Sequence, residues 1–273
     1  MANADSEKLL LEFARLVREE ACNPYSGDLK VGVDLGTANI ALAVVDSKNN
    51  PVAGITYPST VVRDGVVVDY PTATRVVKQL KAQLEQRVGR ILTYAATAIP
   101  PGISAGNTKV MTNVVESAGF TVTNVVDEPV AAASVLKIRN GAVVDVGGGT
   151  TGMSILRNGK VIFSDDQPTG GTHMTLVLAG GLGVSFAQAD EIKKDPAREQ
   201  EVFAMVKPVV EKMACIVDGW LQQYATKKIY LVGGASHFEQ FSSVFAKQTG
   251  RQVIRSIEPL FVTPLGIAFS VRR

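Results

Sequence analysis

The chain has little of what most sites use to announce themselves: two cysteines, two histidines and one tryptophan in 273 residues. Cys22 and Cys215 lie far apart, so no zinc-type pairing is present and free thiols in a reducing compartment are the simplest reading, with one disulfide between them as the alternative. Runs of Lys or Arg are missing and the net charge is only +2, which gives no footing for a nucleic-acid partner. No apolar run approaches the roughly 18–20 residues of a membrane span. The first residues also lack the basic and small-residue flanks of a secretion signal. The expectation is a cytosolic protein with no membrane and no nucleic-acid partner. Hydrophobic residues make up 46% and charged residues 20%, enough for a sizeable core, and the length suggests about two domains.

What the chain does have is glycine at chosen places. Val143-Val144-Asp145-Val146-Gly147-Gly148-Gly149-Thr150-Thr151-Gly152 is an apolar strand ending on an acid, then three glycines, two hydroxyls and a second apolar run. Asn158-Gly159 supplies a tight turn and a third strand begins at Lys160. Glycines without a Cβ let a phosphate approach backbone N–H groups, and a neighbouring carboxylate can hold hydrated Mg²⁺. A flexible loop between strands would need no ligand. The order recurs, however, in Val31-Gly32-Val33-Asp34-Leu35-Gly36-Thr37-Ala38-Asn39, followed by a strand to Val45, a turn at Lys48-Asn49-Asn50 and a strand from Pro51. Two such hairpins suggest an internal duplication. A third glycine pair, Gly233-Gly234, follows the apolar strand Lys228–Val232 and precedes Ala235-Ser236.

Between these motifs the pattern alternates. Residues 5–20 read as an amphipathic helix capped by Asp5 or Ser6, with Leu9, Leu10, Phe13, Leu16 and Val17 on one face, joined to the rest by the linker Ala21–Gly27. It either packs on the body or is a detachable peptide that docks on a partner; it lacks the cationic face that lipids attract. Arg63-Asp64-Gly65 reads as an exposed turn. Helices are expected at about 74–88, stopping at Gly89, and at about 107–118, stopping at Gly119, with strands at 92–99 and 121–126. Thr169-Gly170-Gly171-Thr172 opens a helix to about Ala179, which Gly180-Gly181-Leu182-Gly183 ends, and a helix start with paired glycines can meet an anion. His173, alone there, reads as structural. Ser185-x-x-Gln188 is a capping box. Residues from Ala197 to about Tyr224 read as a helix around Pro208, Trp220 and the stripe Phe238, Phe241, Val244, Phe245 as core, and the last helix as starting near Pro264. Strand and helix in succession argue for an α/β protein.

The chain resembles the actin/Hsp70/sugar-kinase ATPase superfamily. Asp34–Thr37 is similar to its first phosphate motif, Asp145–Thr150 to its second, Leu231–Ser236 to its adenosine motif, and Val126-Asp127-Glu128-Pro129-Val130-Ala131-Ala132-Ala133 to the segment joining the two halves. The match runs from residue 29 to the C-terminus. Within the superfamily the short length and the stretches Val62–Asp69, Val206–Ala214 and Phe261–Ala268 look most like the chaperone-like members of bacterial ethanolamine utilisation.

The resemblance implies an actin-like ATPase fold: two duplicated, ribonuclease H-like lobes around a nucleotide cleft, without a separate peptide-binding domain. Residues 1–28 would be the amphipathic helix and linker, 29–138 plus 257–273 lobe I, and 139–256 lobe II. It implies ATP or ADP with Mg²⁺ as cofactors. Asp34 and Asp145 would hold the hydrated metal, and Gly36, Thr37, Gly147, Gly148, Gly149 and Thr150 the phosphates. Gly170 and Gly171 would lie beside the nucleotide, Asp190 and Lys193 at the ribose, and Gly233, Gly234 and Ser236 at the adenosine. Glu128, just before Pro129, either caps a helix or orients the attacking water. The cleft lysine of Hsp70-like enzymes has no match around Lys78, Lys81 or Lys109, which points to slow hydrolysis or to binding alone. The implied partner is a protein client such as ethanolamine ammonia-lyase or microcompartment shell components, which would associate the protein with a bacterial microcompartment. The alternatives are a nucleotide-dependent filament protein, a small-molecule kinase and a pseudo-ATPase scaffold.

Overall fold

The computed structural model describes residues 4–272. It begins with α1 (Ala4–Arg18) and continues with three strands, β1 (Lys30–Leu35), β2 (Asn39–Val45) and β3 (Pro51–Pro58). A small hairpin follows, β4 (Val62–Arg63) and β5 (Val66–Val67), then α2 (Tyr70–Val88), β6 (Tyr94–Ile99), α3 (Ala105–Ser117), β7 (Thr121–Asp127) and α4 (Glu128–Val135). The second half repeats the plan with β8 (Gly141–Val146), β9 (Thr151–Arg157) and β10 (Lys160–Gln167). Helices α5 (Gly171–Leu182), α6 (Phe186–Lys194) and α7 (Glu199–Leu221) come next, then β11 (Lys228–Val232), α8 (Phe241–Thr249), β12 (Gln252–Arg255) and α9 (Pro259–Phe269).

The strands form two five-stranded sheets, ordered β3-β2-β1-β6-β7 and β10-β9-β8-β11-β12. In each the first three strands are antiparallel and the last two join the first in parallel. The duplication read from the two hairpins therefore extends to whole sheets. One apolar layer lies between the first sheet and α2–α3, through Val76, Leu80, Leu84, Met111 and Val115. A second lies between the other sheet and α5–α8, through Met174, Phe203, Val210, Met213 and Phe245.

A third layer ties the halves together. Helix α4 follows the first sheet but packs on β8 and β9, while α9 follows the second and packs on β1, β2 and β6. The crossing needs glycine: a Cβ on Gly266 of α9 would lie 2.0 Å from the Ala131 carbonyl oxygen of α4, and one on Gly32 of β1 would lie 2.4 Å from the Ala268 nitrogen. Helix α1 completes this layer with Leu10, Phe13 and Ala14, all buried. Phe13 meets Phe261 edge-to-face at 5.6 Å and lies where a side chain on Gly54 of β3 would go. Of the two readings of this helix, packing on the body is what the structure contains.

Several boundaries differ from the sequence reading, each for a physical reason. Asp5 and Ser6 do not cap α1 but lie inside it, and the Ser6 hydroxyl is buried and donates to the Val135 carbonyl at 2.7 Å. Helix α2 begins four residues early because Asp69 caps it, accepting from the Thr72 amide with Pro71 in the first turn. Gly180 and Gly181 do not stop α5, which runs to Leu182 and ends on the left-handed Gly183. Pro264 lies inside α9 instead of opening it, because Pro259 occupies the first turn. A short turn over 196–198 precedes α7, with Pro208 inside that helix. Trp220 is half-buried against the second core, and Phe238, Phe241, Val244 and Phe245 are buried. The stops at Gly89 and before Gly119 and the Ser185–Gln188 capping box stand as read.

Candidate functional site

The first bends of the two hairpins meet. Asp34 is the last residue but one of β1, opposite Ala41, and Asp145 the last but one of β8, opposite Gly152, so the acids hold the same place in the two sheets. The loops beyond them touch. A Cβ on Gly148 would stand 2.9 Å from the Ala38 nitrogen, and one on Gly149 would stand 2.6 Å from Thr37 Oγ1 and 2.9 Å from Asp64 Oδ1. Only glycine permits this approach, and a phosphate between the loops requires them to separate. Asp64, in the β4–β5 turn with φ +48°, is thereby a cleft residue as well as a turn residue.

The remaining glycines crowd the same place. The Gly171 amide donates to the Gly147 carbonyl at 2.9 Å and the Thr172 amide to the Gly148 carbonyl at 2.7 Å. Two of the first amides of α5 therefore fix the Gly147–Thr150 loop instead of standing free for an anion. A Cβ on Gly170 would lie 2.6 Å from the Gly147 carbonyl oxygen. Gly233, at φ +85°, follows β11 where Val232 pairs with Asp145, and a Cβ there would lie 2.2 Å from Asp145 Oδ1. Gly234 faces Leu260 at the start of α9. Gly36 backs onto the Asn39 carbonyl and keeps the first loop tight.

Two expected contacts have inside partners. The buried Ser236 hydroxyl donates to the Gly233 carbonyl at 2.8 Å and closes the turn after β11. Lys193 Nζ donates to Thr175 Oγ1 at 2.6 Å, to Asp190 Oδ1 at 2.8 Å and to the Gly171 carbonyl at 3.3 Å. Asp190 also pairs with Lys194. The Asp190–Lys193 pair thus joins α6 to the start of α5 beside the glycines. His173 lies in the first turn of α5 with Nδ1 buried and unpartnered.

The electrostatics of the cleft are one-sided. Burial, then the nearby Asp145, pushes Asp34 up to about 7. Burial raises Asp145 to about 6, opposed by the hydrogen bond that Thr263 Oγ1 donates to its Oδ2. Glu128, the first residue of α4, is raised well above the usual carboxylate range by burial and then by Asp145, Asp34, Asp166 and Asp127. Asp127 is raised by burial, against a hydrogen bond from Ser164. Burial raises all four, and the like charge of neighbouring acids adds to it at Asp34 and Glu128. Such a set is made for a cation. Among the described residues no three acids, histidines or cysteines converge as direct metal ligands.

One acid escaped the sequence reading. Asp166 of β10 is half-buried and raised to about 7 by burial, with Asp145, Asp165 and Asp64 adding to it and a hydrogen bond from the Thr150 side chain opposing it. A register count from the Asn158-Gly159 turn would have set Asp165 opposite Gly152. A bulge between Val161 and Phe163 moves the pairing by one residue and brings Asp166 there instead.

The MreB/Mbl protein family model matches residues 52–179, and the Cell division protein FtsA model matches residues 142–266. The ethanolamine utilization protein EutJ of Escherichia coli is 42% identical over 245 residues, which is 89% of this chain and 86% of that protein. The crystal structure of ethanolamine utilization protein EutJ from Carboxydothermus hydrogenoformans superposes at a TM-score of 0.92 and 46% identity, covering 97% of both chains. MreB5 of Spiroplasma citri bound to AMPPNP superposes at 0.69 and 16% identity, covering 88% of this chain and 95% of that one, a likeness of fold. The fold is that of the actin-like ATPases.

Proposed function

The chain belongs to the family of ethanolamine utilization protein EutJ, and from that premise we propose that it is a nucleotide-driven, chaperone-like protein of ethanolamine utilisation. It binds ATP and ADP with Mg²⁺ between lobe I (29–138 plus 257–273, Arg273 being outside the described residues) and lobe II (139–256), and hydrolyses ATP slowly. The observation that carries this reading is the meeting of two duplicated loops, each with an aspartate before it and a threonine in it, across one acidic cleft. The MreB5 structures with AMPPNP and ADP support a nucleotide as the ligand of such a cleft.

In this reading Asp34 and Asp145 hold the waters of Mg²⁺, and the metal neutralises phosphate charge when bound. Loop amides and the Thr37 hydroxyl bind phosphate oxygens, Thr150 stands beside the terminal phosphate, and Glu128 orients water from the hinge side. Gly233 and Gly234 leave the adenosine a flat backbone, while Asp190 and Lys193 stand at its ribose end. Because the loops touch, a triphosphate must part them, and losing its terminal phosphate lets them close. That motion, levered by the crossed α4 and α9, is the signal passed to a client such as ethanolamine ammonia-lyase or a microcompartment shell component. Among the described residues no helix is long and apolar enough to cross a membrane.

A second reading, a nucleotide-binding scaffold without turnover, is favoured by the acidity around Glu128 and Asp166, whose leading charged neighbours are other acids. Titration calorimetry of Mg·ATP and Mg·ADP into wild type and Asp145→Ala, with a phosphate-release assay, decides between them. We expect binding in wild type, a loss of about 100-fold or more in the variant, and slow release. Binding without release establishes the scaffold, and no binding removes both readings.

A further inference from the structure

Gly152 and Asp166 are cross-strand partners in the β9–β10 pair. The glycine leaves a hollow on the cleft side of β9, and the carboxylate fills it: Asp166 Oδ1 lies 3.1 Å from the place of a Gly152 Cβ. Pro101, in the loop after β6 of the other lobe, bounds the hollow at 3.1 Å. Oδ1 is fully enclosed and has no hydrogen-bond partner. The Thr150 side chain, at the end of the glycine loop, is a hydrogen-bonding neighbour that opposes the rise of the same carboxyl. A buried carboxylate oxygen without a partner in an acidic cleft calls for an explanation beyond filling space.

We propose that Asp166, acting through the Thr150 hydroxyl, takes up the proton of the attacking water during ATP hydrolysis. This deepens the function proposed above and rests on it. The Thr150 hydroxyl donates its proton to Asp166, so its lone pairs are free to accept from a water. That hydrogen bond turns a water lone pair toward the terminal phosphorus. As the water oxygen forms its bond to phosphorus, the bond from phosphorus to the bridging oxygen breaks and its electron pair stays on ADP. One water proton passes to the Thr150 oxygen while the Thr150 proton passes to Asp166, leaving inorganic phosphate, ADP and a neutral Asp166 that returns the proton to solvent. Asp166 is therefore a positioning residue as well as the proton's destination. Glu128, enclosed and facing four other acids, acts on the opposite side.

The test compares Mg·ATP binding by calorimetry and phosphate release in wild type, Asp166→Asn and the double exchange Gly152→Asp/Asp166→Gly. The asparagine keeps the shape and an acceptor for Thr150 but cannot take a proton. It should leave the Kd within about threefold and lower kcat by roughly 100-fold or more, the usual worth of general-base help. The exchange returns a carboxylate to the hollow from the facing strand and should recover at least about tenfold of that loss. Wild-type turnover with an Asp166→Asn variant within about threefold of it overturns the inference and leaves the ATPase reading standing. A variant that loses binding as much as rate, with no recovery in the exchange, assigns Asp166 a purely structural role and also overturns it. Binding without turnover in wild type removes the proton step together with the hydrolysis reading and leaves the scaffold, whereas no binding removes both readings of the cleft.

Discussion

The two copies of the hairpin are the same object put to different uses. In the first, the row across the sheet at the acid reads Asp34, Ala41, Thr56; in the second it reads Asp145, Gly152, Asp166. Two positions further on, β3 has Gly54, into which Phe13 of α1 packs, whereas β10 has Ser164, which bonds to Ser154. The inner face of the first hairpin is finished by a helix from outside the duplication. The inner face of the second stays polar and carries a second carboxylate into the cleft. Duplication supplied the symmetric pair of acids, and divergence of the third strand gave one half an apolar seat for α1 and the other a further carboxylate in the cleft.

The largest expected effect tests the support. Phe13 is 1% exposed and contacts both Phe261 and the Gly54 backbone. Phe13→Ala should cost about 3–5 kcal/mol, the range for emptying an aromatic core site, read as a drop in the urea midpoint and faster proteolysis at the 21–27 linker. Ser164→Ala, at the matching place in the other hairpin, should cost less than about 1 kcal/mol, the worth of one hydrogen bond. If Phe13→Ala costs no more than Ser164→Ala, α1 is a detachable peptide and the contrast between the halves disappears.

Acidity gives the next contrast. Asp34 and Asp145 are raised to about 7 and about 6, against an unfolded value of roughly 3.9. The native state therefore binds more protons than the unfolded chain between those values, and stability falls as pH rises through that window. Without nucleotide the protein should melt highest near the acid end of the window and lose stability up to neutrality, the reverse of the usual carboxylate behaviour. Asp145→Asn should flatten the profile and raise stability above the window by on the order of 1–3 kcal/mol. Thermal melts across pH, with and without Mg²⁺, read both. A wild-type melting point that climbs between pH 5 and 7 would contradict the burial of these acids.

How far the chain could be read follows from what kind of information each feature uses. Asp34, Asp145, the three glycines and the Asn158-Gly159 turn are local signals, and they announced the hairpins and the duplication. The capping box at Ser185 and the stops at Gly89 and before Gly119 are equally local. What failed was set elsewhere in the fold. Ser6 has the chemistry of a cap, but its partner is Val135, 129 residues away. Gly180 and Gly181 weaken a helix by about 1 kcal/mol each, yet Met174, Thr175 and Leu178 bury α5 and carry it past them. Asp166 was hidden by a single bulged residue. Strand alternation turns a one-residue slip into a change of face, and no local pattern in Val161-Ile162-Phe163 announces that slip.

The smallest effect sharpens what holds α1. Arg18 pairs with Glu258 at 2.7 Å and lies 5.8 Å from the centroid of the Phe261 ring. Phe261 is the ring that Phe13 meets, so one aromatic receives both the packing and the charge of α1. The Arg18 side chain is 61% exposed, and an exposed pair of this kind contributes about 0.2–1 kcal/mol, with a similar upper figure for a cation over a ring at the surface. Arg18→Ala should therefore shift stability by less than about 1 kcal/mol, and the shift should shrink at high salt as screening removes the ionic part. Arg18→Ala and Phe13→Ala combined should fall short of the sum of the two, because losing Phe13 loosens the Phe261 ring over which Arg18 lies. Strict additivity in urea melts would mean that charge and packing hold α1 independently. A combined deficit would make α1 a single docked unit, anchored on the helix that crosses from the second half of the chain onto the first sheet.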